Sequence, residues 1–142
     1  MNIVVDANVV AALILPLNYS DDSTNKMGAW KENGVEIFTP LLIDYEITTI
    51  LRRAVSVNII SRTESLAALD KVLALNFQSL PPTREMHQRA LMWAEKLGQA
   101  KAYDSQYIAV AEQINAEFWT ADKSLFNTLR AQGMTWSHWI GE

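Results

Sequence analysis

Short β-branched or aromatic runs alternate with longer helix-forming stretches along the whole chain, and no other feature constrains the fold as strongly. Ile3-Val4-Val5 stops at Asp6, Val35 to Phe38, Phe77 to Leu80 and Glu117 to Thr120 repeat the theme, and Met134 to Ile140 offers a last edge strand. Runs of this length bounded by turn residues read as strands. The segments between them read as helices. Ala7 to Leu15 is Ala- and Leu-rich until Pro16 stops it. Ser20, Asp21 and Asp22 offer caps for a helix from about Asp22 to Glu32, closed by Asn33-Gly34. Thr39-Pro40 predicts a helix start, an N-cap hydroxyl followed by proline at the first helical position, with the helix running to about Ala54. Ser61-x-x-Glu64 is a capping-box pattern opening a helix to about Leu75. Thr83 caps another through Leu97, with Gly98 at C′; Tyr103 to Asn115 and Lys123 to Gln132 complete the set.

Strands alternating with helices call for a parallel sheet covered on both faces, an α/β/α sandwich. In such sheets ligands settle in the crevice at the carboxyl ends of the strands. No repeat, low-complexity tract or linker interrupts the 142 residues, so residues 1–142 are expected to form one domain.

Composition removes several chemistries. Without cysteine there is no disulfide scaffold, thiolate nucleophile or Cys-based zinc site. The only histidines, His87 and His138, are far apart in sequence and lack ligand spacing. The apolar start of the chain is broken by Asp6 and Asn8 and stopped by Pro16, which suits neither a signal peptide nor a membrane span; a cytoplasmic protein is expected. A net charge of −4 opposes broad adhesion to nucleic acid, which relies on many Lys and Arg contacts to phosphate. Any affinity for RNA has to come from a local patch, a metal or a partner subunit.

The acidic residues are placed with more purpose. Asp6 and Asp122 each end a strand and precede a helix, which puts both at the carboxyl edge of the sheet. Helix N-capping alone would account for either. Asp104 is harder to explain that way, because Tyr107, Ile108 and Ala111 stand at i+3, i+4 and i+7 from it and set its carboxylate on the apolar face. An unpaired carboxylate there needs a cation, several donors or a raised pKa; a salt bridge to Lys101 is the structural alternative. Glu46 lies at the edge of the stripe formed by Ile43, Ile47, Ile50 and Ala54, with Tyr45 and Arg52 pointing away. It could be a solvated boundary residue. Asp44, on the other flank, is the weaker candidate.

Together these acids would repel one another unless something positive lay between them. Hard divalent cations take oxygen ligands, and Mg²⁺ commonly uses one or two carboxylates with waters and substrate phosphate. A metal so held polarises a phosphoryl oxygen, lowers the pKa of bound water and steadies the leaving oxygen, the services that phosphodiester hydrolysis requires.

With these residues in place, the chain resembles the PIN-domain ribonucleases, especially the VapC-type toxins of toxin–antitoxin pairs. The resemblance runs through IVVDANVV, PLLIDYEITTILRR and AYDSQYIAVAEQINAEFWTADKSLFNTL. It implies a five-stranded parallel sheet between helical layers and an acidic pocket for Mg²⁺ or Mn²⁺. It further implies cleavage of single-stranded RNA, leaving 5′-phosphate and 3′-hydroxyl ends. The four acids of the family pattern fall on Asp6, Glu46, Asp104 and Asp122, and Asn8 stands where relatives usually have Ser or Thr, its amide still able to bond a carboxylate or a water. Homodimers, and an antitoxin segment that covers the acidic pocket, follow from the same resemblance.

The chain departs from many relatives in lacking a clearly basic surface. Arg52, Arg53, Lys101 and Lys123 are the candidate phosphate contacts, against the alternative of solvated charges. Trp30, Trp93, Trp119, Trp136 and Trp139 offer stacking faces, with Trp93 and Trp119 expected in the core. A haloacid-dehalogenase-like phosphatase needs an Asp two residues after the first, where Asn8 stands. A response-receiver domain wants an Asp after the third strand, where Pro81-Pro82 stands. Phosphate-cradling glycine loops are absent. A catalytically silent PIN-like binding module and a housekeeping RNA-processing nuclease remain as alternatives.

Overall fold

The computed structural model describes residues 1–142. Along the chain run β1 (Asn2–Val5), α1 (Ala7–Ile14), α2 (Ser20–Glu32), β2 (Glu36–Pro40), α3 (Leu42–Ser56), α4 (Arg62–Ala74), β3 (Gln78–Leu80), α5 (Arg84–Lys96), α6 (Asp104–Gln113), β4 (Glu117–Thr120), α7 (Lys123–Ala131) and β5 (Ser137–Trp139). The strands form one five-stranded sheet in the order β3-β2-β1-β4-β5, and every pair is parallel. β1 is central, so Ile3, Val4 and Val5 are fully buried, as a continuous apolar run in a two-faced sheet requires. α1 packs on α2, α3 and α4, while α5 lies along α6. With right-handed crossovers these groups cover opposite faces of the sheet. No helix is long and apolar enough to cross a membrane.

The strand order matters for the site. The chain steps outward from β1 to β2 and β3, then returns to the other side of β1 as β4 and β5. The carboxyl ends of β1 and β4 thus flank the topological switch point, where open α/β sheets hold ligands. Asp6 and Asp122 cap the helices that follow these two strands.

The α/β sandwich and parallel sheet are as expected, and the Ser61–Glu64 capping box and the Thr83 cap are both formed. The start of α3 is not. Thr39 and Pro40 belong to β2, where they pair with Ser79 and Leu80, and the Thr39 hydroxyl lies 3.4 Å from the Ser79 hydroxyl. α3 begins after Leu41 without a side-chain cap, because pairing with β3 claims the residues that would have formed one. It also runs two residues past Ala54, and Asn58 turns the chain at φ +61°. α2 begins at Ser20, before Asp22; the Ser20 hydroxyl donates back to the Leu15 carbonyl at 2.8 Å and closes the turn after α1. Trp93 is in the core as expected. Trp119 is only half-buried, stacked on His138 at 4.7 Å, and Trp30 is the buried partner edge-on to it.

Candidate active site

Asp6 ends β1 and caps α1: its Oδ1 accepts from the Val9 amide at 3.3 Å. Its other oxygen, Oδ2, is buried without a hydrogen-bond partner, and the residue is only 4% exposed. Burial pushes the Asp6 carboxyl up to about 8, since a lone charge is poorly solvated there. The Thr120 hydroxyl and Val9 amide offset part of that rise, while the negative charges of Asp104 and Asp122 add to it. Asp122, exposed at the end of β4, caps α7 by accepting from the Leu125 amide at 3.0 Å. Its own amide donates to the Thr120 hydroxyl at 3.0 Å. Both aspartates therefore act as caps, yet capping leaves Asp6 Oδ2 unused.

Asp104 is the first residue of α6 and is half-buried, above Tyr107 and Ile108, which are buried. Lys101 forms no ion pair with it; the Gln99 amide nitrogen donates to Asp104 Oδ2 at 3.2 Å instead. Glu46, half-buried on α3, also carries an unpartnered buried oxygen, Oε1. Burial raises its pKa and the charge of Asp104 raises it further, whereas the nearby Tyr107 hydroxyl lowers it.

Tyr107 joins these acids. It is 1% exposed, and its hydroxyl closes no hydrogen bond of ordinary geometry. Its pKa is driven far above the usual tyrosine value, first by burial and then by the charges of Glu46, Asp6 and Asp104. In sequence Tyr107 reads only as part of the apolar face of its helix. The available signal was its position one turn after Asp104, which carries its polar tip toward the same acids.

Asn8 holds the two turns together. Its side-chain oxygen accepts from the Ala121 amide at 3.0 Å, so it is the backbone beyond β4 that this oxygen meets. Arg52 and Arg53 are exposed and line a polar groove with Thr48, Thr49 and Ser56. Lys101 lies on the wall of an apolar cleft, and the Lys123 ammonium sits 4.7 Å from the centre of the Trp139 ring.

No three acidic or histidine side chains are drawn close enough to enclose an ion by themselves. The donor chemistry nevertheless suits a hard cation: Asp6 Oδ2 and Glu46 Oε1 are buried carboxyl oxygens without a hydrogen-bond partner. Mg²⁺ and Mn²⁺ need few protein ligands when waters complete the shell.

The PIN domain family model matches residues 3–130, and the chain belongs to that family. PIN domains as a class are nucleases, hydrolases that generally use divalent metal ions. Among solved structures, PAE2754 from Pyrobaculum aerophilum is 20% identical, with a TM-score of 0.69 over 99% of this chain and 93% of that one. VapBC2 from Rickettsia felis, bound to a DNA fragment from its promoter, is 13% identical with a TM-score of 0.67, covering 98% and 97% of the two chains. VapBC-1 from nontypeable Haemophilus influenzae is 15% identical with a TM-score of 0.61 over 100% of both. At these identities the likeness is one of fold. No curated protein sequence matches the chain.

Proposed function

We propose that the protein is a metal-dependent endoribonuclease, the toxin of a VapC-type toxin–antitoxin pair. The observation that carries this reading is the pair of buried, unpartnered oxygens on Asp6 and Glu46, electrostatically coupled to Asp104 and, through Asp6, to Asp122. Folding has placed carboxyl groups where their charged forms are poorly solvated, and a cation is the partner that would stabilise those forms. Asp6, Glu46 and Asp104 hold Mg²⁺ or Mn²⁺, directly or through water, and Asp122 completes the acidic rim. The ion supplies polarisation of a phosphoryl oxygen and stabilisation of charge in the transition state. Tyr107 steadies Glu46, and Asn8 keeps the Asp6 and Asp122 turns in register. Arg52, Arg53, Lys101 and Lys123 contact phosphates of the RNA.

The partners follow from the same reading. The VapBC neighbours favour an antitoxin partner, and the family resemblance adds to the proposal a cytoplasmic homodimer whose acidic pocket an antitoxin segment covers.

Cleavage of end-labelled single-stranded RNAs by wild type and Asp104→Asn, with Mg²⁺, Mn²⁺ or EDTA, tests the nuclease. Metal-dependent cleavage that the substitution reduces by at least a hundredfold is expected, since an electrostatic contact to the reacting centre is commonly worth on the order of that factor. Equal cleavage by both proteins would overturn the assignment.

A further inference from the structure

Glu46 lines the middle one of three neighbouring clefts that share lining residues. It lines a cleft of about 440 Å³ together with Tyr45, Thr49, Arg53 and Tyr103. Thr49 and Arg53 carry this cleft into the polar groove of Arg52 and Ser56. In the other direction Tyr45 and Tyr103 carry it into a second, more apolar cleft of about 630 Å³, bounded by Pro40, Pro82, Lys101 and Gln106. Tyr45 and Tyr103 are 72% and 56% exposed, so two large rings stand largely in solvent beside the cleft that Glu46 lines.

We propose that the apolar cleft is a nucleobase subsite, in which Tyr45 and Tyr103 present the stacking surfaces for a base of the strand whose phosphate lies at Glu46. The inference rests on the nuclease reading above and adds to it the residues that hold the neighbouring base. Three observations favour a nucleic-acid strand as the occupant. The cleft shares Tyr45 and Tyr103 with the neighbouring cleft that Glu46 lines. Cations stand on both sides of Glu46, with Lys101 in the apolar cleft and Arg53 in the polar groove, as a phosphate backbone passing the acid would need. Within the cleft the Gln106 amide and His87 Nδ1 are paired at 3.3 Å, which leaves the Gln106 carbonyl and His87 Nε2 to meet a base edge. A chain of net charge −4 has no general basic surface, so stacking in a local cleft supplies affinity that its electrostatics do not.

The experiment measures binding apart from cleavage. Wild type, Tyr103→Ala, Tyr103→Phe and Tyr45→Ala are titrated in EDTA with fluorescein-labelled ribo-oligonucleotides and with an abasic oligomer of the same length. Each alanine variant should bind the base-bearing strand on the order of tenfold more weakly. Both should bind the abasic strand as wild type does, and Tyr103→Phe should bind like wild type because stacking needs only the ring. Affinities unchanged in the alanine variants, or a phenylalanine variant as weak as the alanine one, would overturn the subsite. So would a loss of self-association, with RNA binding intact, in Tyr103→Ala, since the cleft would then pack against protein. The same proteins are assayed for cleavage with Mn²⁺. Ring-dependent binding without cleavage would overturn the nuclease reading alone, and cleavage with ring-independent binding would overturn the subsite alone.

Discussion

The Asn8 side-chain oxygen accepts from the Ala121 amide at 3.0 Å across 113 residues of sequence. This bond ties the turn after β1 to the turn after β4, and so holds Asp6 and Asp122 on either side of one crevice. Asn8→Ala would leave the Ala121 amide, buried with its residue at 6% exposure, without an acceptor. A loss of about 1–3 kcal/mol in unfolding free energy is expected from the orphaned donor. Urea melts of the two proteins measure it, and a variant as stable as wild type would show that the bond contributes nothing net.

Stability in the absence of metal should fall as pH rises. The Asp6 carboxyl, raised to about 8 from an ordinary 3.8, keeps its proton in the folded chain at pH values where the unfolded chain has released it. The folded state then binds more protons across that window, so its stability is greatest below the unfolded pKa and is lost as pH climbs through the folded one. Asp6→Asn keeps an oxygen for the Val9 amide and cannot ionise. In EDTA it should melt above wild type at about pH 8.5, with the gap closing towards pH 4. A gap independent of pH would show that Asp6 is not the titrating group.

Tyr107→Phe separates stability from function. The hydroxyl is buried without a hydrogen bond of ordinary geometry, so its removal should change the melting temperature little. Cleavage should nevertheless drop several-fold, because Glu46 loses the group that favours its charged form. Unchanged cleavage would leave the hydroxyl without a role in positioning Glu46.

Arg52 and Arg53 are expected to act through phosphate alone. Substituting either by Ala should lower the slope of log affinity against log salt by about 0.7 for single-stranded RNA, uniformly across sequences. Titrations at several salt concentrations report that slope. An unchanged slope would mark these arginines as solvated surface charges.

Most of the architecture was legible in the chain. Local rules of period and capping were enough for the alternation of strand and helix, the Ser61–Glu64 box and the Thr83 cap, because neighbours in sequence decide them. They failed at Thr39-Pro40, where a good cap pattern lost to pairing with Ser79 and Leu80, residues about forty positions away. The tryptophans misled in the same way. Trp119, expected in the core, is only half-buried, because period and composition do not say what covers a strand.

The candidate acids follow from sequence as well: Asp6 and Asp122 from their places at strand ends, Asp104 and Glu46 from their positions on helical faces. What each acid experiences was not legible. That Asp6 Oδ2 and Glu46 Oε1 lack partners, that Gln99 and not Lys101 meets Asp104, and that Tyr107 sits among three of the acids all depend on helices from different parts of the chain meeting beyond one sheet edge. The sequence by itself determined the elements and the residue types available for chemistry, because propensity, period and capping act over a few residues. The tertiary structure alone decided solvation and contact, because burial and charge coupling belong to the assembled fold and to no segment of it.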